Sequence, residues 1–117
     1  MSFQMQRIIL FVNDMPAMTA FYRDVLGLRP IADSKHPPTE WLEFDAGGAR
    51  IALHKAFDPS GKPATCNKIT FYAADVPKVR EQLVARGAKM YEVNNWGELI
   101  TCDGHDPEGN RFQISNR

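Results

Sequence analysis

The chain has 117 residues, enough for one domain with one core, and its 44% apolar and 24% charged content is that of an ordinary globular protein. A net charge of zero and a pI of about 6.8 leave no electrostatic footprint for nucleic acid or an acidic membrane. No apolar run approaches bilayer length, the start lacks signal-peptide character, and Cys66 and Cys102 form no CxxC pair. The expectation is a reduced cytoplasmic protein with no nucleic-acid or membrane partner.

Ile8–Val12 is β-branched and apolar on both faces, which predicts a strand buried on both sides. Asp14 is a good N-cap, Pro16 suits a first helical turn, and Met18, Phe21, Tyr22 and Val25 form an apolar stripe at helical spacing. Gly27 is the predicted stop. A strand over Leu28–Ile31 follows, then a polar loop over 32–39 with two prolines. Trp41–Phe44, the turn Asp45–Gly48, and Arg50–His54 predict a hairpin. After a linker with Pro59, Gly61 and Pro63, strand Ile69–Ala73 leads into a helix capped by Asp75, started by Pro77 and stopped by Gly87. Strands Lys89–Val93, Leu99–Asp103 and Arg111–Ser115 complete the chain, the last two flanking the turn Asp106–Gly109.

The second half repeats the first at an offset of 61 residues. Asp14-Met15-Pro16 recurs as Asp75-Val76-Pro77, Asp45-Ala46-Gly47-Gly48 as Asp106-Pro107-Glu108-Gly109, and Arg50 as Arg111. The stop glycines are 60 apart, so the second helical region is one residue shorter. A repeated supersecondary unit predicts two packed copies. The organisation is one domain over 1–117: a βαβββ module at 5–56, a linker at 57–65 and a second βαβββ module at 66–117, an α+β fold.

Val12-Asn13-Asp14-Met15 leading into Phe21-Tyr22-Arg23-Asp24-Val25-Leu26-Gly27-Leu28, with Trp96-Gly97 and Asp106-Pro107-Glu108-Gly109-Asn110, resembles the vicinal oxygen chelate superfamily of glyoxalases, bleomycin resistance proteins and extradiol dioxygenases. These are scaffold signals, a packed helix with its glycine stop and a tight turn, and they specify fold far more than chemistry. The resemblance implies that the two modules form a glyoxalase-like half-open barrel around a cavity. It also implies a homodimer. In metal-dependent relatives four His, Gln or Glu ligands come from the first and last strands of each module.

Carried onto this chain, those ligand positions fall on Arg7, Ala52, Lys68 and Gln113. A guanidinium and an ammonium donate hydrogen bonds and accept none, a methyl group does neither, and a lone neutral amide holds a divalent ion poorly. No cofactor is therefore expected there. The alternative is a divalent metal at a displaced site of His54, Glu43 and Gln113, with Glu43 as candidate acid or base; against it stands a plain polar wall.

Arg7 and Lys68 occupy equivalent positions, so Glu43, Glu98 or an anionic ligand is expected to neutralise them, unless both are simply solvated. The cavity face is expected to carry Ile9, Phe11, Thr70 and Tyr72, alternating with Ile8, Leu10, Ile69 and Phe71. Trp41 and Trp96 lie near the cavity rims, where they would stack on a planar ligand or pack in a dimer. His36 is expected in solvent, and His105 is expected to bond the Asp106 turn. Both cysteines read as inert.

The function expected from these residues and the resemblance is small-molecule binding, with an anionic or aromatic ligand held by Arg7, Ile9, Phe11, Trp41, His54, Lys68, Thr70, Tyr72, Trp96 and Gln113. The alternative is a metal-dependent lyase, isomerase or dioxygenase built around His54.

Overall fold

Two aspartates begin the two helices in the same way. In the computed structural model, which describes residues 2, 4–32, 35–56 and 67–117, Asp14 and Asp75 have nearly identical backbone angles (φ −114°, ψ 87° and φ −113°, ψ 88°). The Asp14 carboxylate accepts from the Ala17 amide at 3.0 Å and that of Asp75 from the Lys78 amide at 3.1 Å, each satisfying an otherwise orphaned helix donor. A proline fills the first turn of each helix, where its missing N–H costs nothing.

The chain divides into two compact units, Met1–Lys62 and Pro63–Arg117. The predicted linker at 57–65 and Cys66 lie outside the described residues. The first unit contains β1 (Arg7–Val12), α1 (Met15–Ala20), β2 (Arg29–Ile31), β3 (Trp41–Asp45) and β4 (Arg50–Lys55). Its sheet has the order β1-β4-β3-β2, with β1 parallel to β4 and the other pairs antiparallel. The second unit contains β5 (Lys68–Tyr72), α2 (Val76–Ala85), β6 (Lys89–Trp96), β7 (Leu99–His105) and β8 (Arg111–Ser115), with the same order β5-β8-β7-β6. This is the predicted α+β class and the predicted βαβββ unit, twice. Among the described residues no helix is long and apolar enough to cross a membrane.

In each unit one sheet face packs on the helix. Val12, Ile51, Leu53 and Phe44 bury against Met18 and Tyr22 in the first, and Phe112, Ile114 and Cys102 bury with Val76 and Leu83 in the second. Strand β1 departs from expectation. Its even residues face the helix, but Ile9 and Phe11 are 42% and 46% exposed, because the apolar odd face points away from α1. Strands β6 and β7 run past their predicted ends at Val93 and Asp103, to Trp96 and His105.

The one-residue difference between the helical regions has a structural form. After α1 the chain makes a π-helical turn over Phe21–Val25, with the Leu26 amide donating to the Phe21 carbonyl at 3.0 Å. The Leu28 amide then closes onto the Tyr22 carbonyl across Gly27 (φ 73°). In the second unit the Ala88 amide closes onto Leu83 across Gly87 (φ 98°), one residue sooner. The extra residue returns in the second hairpin. Asp45 pairs with Arg50 across a four-residue connection, 46–49, while His105 pairs with Arg111 across a five-residue connection, 106–110.

Gly104 sits where no side chain fits. A Cβ there would run into the Met90 Sδ, lie 2.9 Å from the Phe112 ring and 3.1 Å from the Lys89 carbonyl. Gly104→Ala is therefore expected to destabilise the protein by about 1–3 kcal/mol through overpacking, read as a lower urea midpoint; an unchanged midpoint would show that β6 yields freely at its irregular register between Met90 and Val93.

Candidate functional site

Because a strand shows alternate side chains to opposite faces, the strand registers arrange the helix-free face of each sheet in transverse rows. In the first unit one row runs Arg7, Arg50, Asp45, Arg29. The next runs Ile9, Ala52, Glu43, Ile31, and the third Phe11, His54, Trp41. In the second unit the corresponding rows are Lys68, Arg111, His105, Lys89, then Thr70, Gln113, Asp103, then Tyr72, Ser115, Thr101, Asn94. Trp96, opposite Leu99, lies at the far end of β6 and is 63% exposed. Every ligand-binding residue expected from the sequence falls on one of these two helix-free faces, divided between the units.

The first two rows of each unit meet in an ion triad. Arg7 donates from Nε to Glu43 Oε1 at 3.0 Å, and Arg50 Nη1 stands 3.7 Å from the same oxygen. Lys68 donates from Nζ to Asp103 Oδ2 at 3.0 Å, and Arg111 Nη1 stands 3.7 Å from that oxygen. The carboxylates are mostly covered, with side-chain exposures of 11% for Glu43 and 14% for Asp103. The other oxygen of each is engaged as well: Trp41 Nε1 donates to Glu43 Oε2 at 3.4 Å and Gln113 Nε2 to Asp103 Oδ1 at 2.9 Å. Arg7 is thus neutralised by Glu43, as one expectation had it. Lys68 is neutralised by Asp103, a residue the sequence reading did not consider, rather than by Glu98.

The third row of the first unit is aromatic. The His54 ring lies 5.1 Å from Phe11 and 5.5 Å from Trp41, and His54 Nδ1 is 2.7 Å from the Lys55 carbonyl, which makes that nitrogen the donor. In the second unit Arg111 lies 5.2 Å from the centre of the Tyr91 ring, and the Tyr91 hydroxyl is 3.4 Å from His105 Nε2. His105 therefore meets Tyr91 rather than the turn backbone it was expected to bond; the turn amides of Glu108 and Asn110 donate to the Asp106 carboxylate, each at 2.9 Å. His36 is exposed, its ring 6.1 Å from Trp41. A cavity of about 580 Å³ adjoins the first row of the first unit, lined by Arg29, Ile31, Asp45 and Arg50 together with Met5 and Gly48.

The donors at the usual chelating positions do not fit a divalent cation. Positions 7 and 68 present cations, position 52 a methyl group, and position 113 a single neutral amide, whose Nε2 donates to Asp103 and whose oxygen alone holds a divalent ion poorly. Glu43, the carboxylate of the displaced alternative, already faces two guanidiniums, whose charge opposes that of an incoming metal. Among the described residues no three His, Cys, Asp or Glu side chains gather as a metal set. Burial pushes the Cys102 thiol up, so it stays protonated and donates to the Tyr91 carbonyl at 3.3 Å.

Over residues 4–114 the sequence matches the family described as the Glyoxalase/Bleomycin resistance protein/Dioxygenase superfamily. The chain belongs to that superfamily. Solved structures of superfamily-like fold agree. The antibiotic binding protein TnmS3 from Streptomyces sp. CB03234 superposes with a TM-score of 0.80 at 21% identity, covering 97% of this chain and 94% of that one. A glyoxalase/bleomycin resistance protein/dioxygenase family enzyme from Burkholderia phytofirmans PsJN gives 0.78 at 22% identity, covering 96% and 97%. Lactoylglutathione lyase from Agrobacterium tumefaciens gives 0.74 at 22% identity, covering 95% and 91%. At these identities the likeness establishes the glyoxalase-like fold. Among curated proteins none matches the sequence.

The second triad carries a pH signature. Burial alone would raise the Asp103 carboxyl, but hydrogen bonds from Gln113 and Lys68 and the charges of Lys68 and Arg111 outweigh it and hold the group below its ordinary value of 3.8. A carboxyl depressed by folding stabilises the folded state above its unfolded value, and that contribution is lost as pH falls through the folded value. Asp103→Asn should therefore cost about 1–3 kcal/mol at pH 7. The difference from the native chain should shrink below about pH 4, measured by urea unfolding across pH; a difference that persists undiminished in acid would remove the ion triad as its cause.

Proposed function

We propose that the protein binds a small organic molecule on the helix-free faces of its sheets, with no divalent metal at positions 7, 52, 68 and 113. The observation that carries this reading is the pair of ion triads, Arg7–Glu43–Arg50 and Lys68–Asp103–Arg111, standing where a chelating set would be expected. Each triad ties adjacent strands together and uses the carboxylate that a metal would need. The exposed apolar groups on the same faces, Ile9, Phe11 and Tyr72, support a binding role, since side chains of that kind left open to water are suited to covering by a ligand. The likeness to a structure described as an antibiotic binding protein is in keeping with it. Arg7, Trp41, His54, Lys68, Thr70, Gln113 and Trp96 complete the proposed contact set. Sequestration or sensing of the ligand, in the cytoplasm, is the role this implies.

The test is a thermal-shift screen of small organic compounds on protein stripped with a chelator, with hits mapped by amide NMR. Hits should raise the midpoint without added metal and perturb amides on a helix-free face, in β1, β3 and β4 of the first unit or in β5 and β8 of the second. Stoichiometric divalent metal in protein purified without chelator, lost on His54→Ala, would establish the metal-dependent alternative in its place.

The reading includes a homodimer, the assembly expected from the superfamily resemblance. Sedimentation velocity should report twice the 13.2 kDa chain mass at micromolar concentration, and a species of single-chain mass would exclude it.

A further inference from the structure

The helix-free face of the first unit is graded along its strands, and the gradient specifies the ligand. At one end Arg7 and Arg50 share one carboxylate, Glu43. Their row-mate Arg29 is balanced by Asp45, Nη2 to Oδ2 at 3.1 Å. The inventory of the rows is three guanidiniums against two carboxylates, an excess of one positive charge in a chain whose net charge is zero. The excess is accessible: the Arg50 side chain is 45% exposed and its 3.7 Å approach to Glu43 leaves guanidinium N–H groups uncommitted to that oxygen, while Arg7 is 32% exposed. At the other end are Phe11, His54 and Trp41, with Ile9 between, and Phe11 and Ile9 are nearly half exposed. Neighbouring rows on one face are separated by two residues of strand, about 7 Å.

We infer that the ligand is an aromatic anion, its ring system laid over Phe11, His54 and Trp41 and its carboxylate or other anionic group held by Arg50 and Arg7. This rests on the small-molecule reading above and deepens it. The charge excess supplies the complementarity, since an anion between two guanidiniums satisfies donors that Glu43 alone leaves over, in bonds shorter and stronger than neutral ones. The row spacing sets the size: the arginine and aromatic rows stand two intervals apart, about 14 Å, but Arg7 and Arg50 lean to Glu43 in the row between, which Trp41 also touches, so about one interval is left for a fused two-ring system bearing a carboxylate on one edge. Glu43 acts as a positioning residue. It holds the two guanidiniums side by side before the ligand arrives, so that little ordering remains to be done on binding. The cavity lined by Arg29, Ile31, Asp45 and Arg50 continues past the anionic group and gives room for a polar substituent there.

Three probes separate the parts of the inference: naphthalene-2-carboxylate, its neutral isostere 2-naphthamide, and inorganic phosphate, each titrated calorimetrically into the full chain at low salt. The carboxylate should bind about tenfold or more tighter than the amide, the difference a charge-assisted hydrogen bond makes. Arg50→Gln should erase that preference, the carboxylate losing far more affinity than the amide, and Trp41→Leu should weaken both aromatic probes several-fold. Phosphate should bind far more weakly than the naphthoate. Raising salt from 0.05 to 0.5 M, values on the order of those that shorten the screening length, should narrow the carboxylate advantage. Equal affinity for carboxylate and amide, or a carboxylate preference that survives in both Arg50→Gln and Arg7→Gln, would overturn the inference. So would silence of both naphthalene probes alongside neutral, non-aromatic hits in the thermal-shift screen, which would leave the small-molecule reading standing. A screen with no hits at all would bring down that reading together with this one.

Discussion

The pleat of the β-strand is the constraint on which the rest of this molecule depends. With side chains alternating between faces, β1, β4 and β3 place Val12, Ile51, Leu53 and Phe44 under a helix and leave Arg7, Glu43, Arg50, Trp41 and His54 together on the other side. The second unit does the same with Phe112, Ile114 and Cys102 against Lys68, Asp103, Arg111 and Gln113. Neither arrangement needs a special loop. The register of three paired strands is enough, and the register is pinned by the burial of the helix-facing residues, since a slip of one position would carry the charges into the core.

What this face can do follows from which carboxylates it holds and what they already touch. A metal site asks for lone pairs facing a common point. Here each triad offers one carboxylate per unit, and both of its oxygens are occupied by donors, all from other strands of the sheet except Trp41, which shares β3 with Glu43. Superfamily membership establishes the scaffold and leaves the chemistry to the residues that stand on it. Of the four usual positions, 7 and 68 hold cations, each turned to a carboxylate of its own unit, and 52 and 113 hold neutral groups.

Much of the fold was legible in the sequence because its signals are local. Asp14 and Asp75 reach only to the amides three residues on, and Gly27 and Gly87 mark positive φ angles that other residues rarely adopt. The site was legible only in part, and the reason is arithmetic. A uniform offset of 61 residues pairs Glu43 with Gly104, so the repeat hides the second carboxylate. The ladders pair Glu43 with Ala52 and Asp103 with Gln113, which makes Asp103 the true counterpart at an offset of 60. The slip begins at the π-helical turn, which the 60-residue spacing of Gly27 and Gly87 does mark, and ends in the longer second hairpin connection, which leaves no such mark. Reading Asp103 from sequence would have required pairing the last two strands outward from Asp106, whose side chain organises the turn, rather than overlaying the two halves.

Those two length differences offset one another. One extra residue lies in the first copy, before β2, and the other in the second copy, before β8, so β2 and β3 stand 60 residues from β6 and β7 while the parallel pairs β1–β4 and β5–β8 keep the offset of 61. Either change alone would break step: taking one residue from the 106–110 connection would slide β8 by one position against β7 and turn Arg111 away from Asp103 to the opposite face of the sheet.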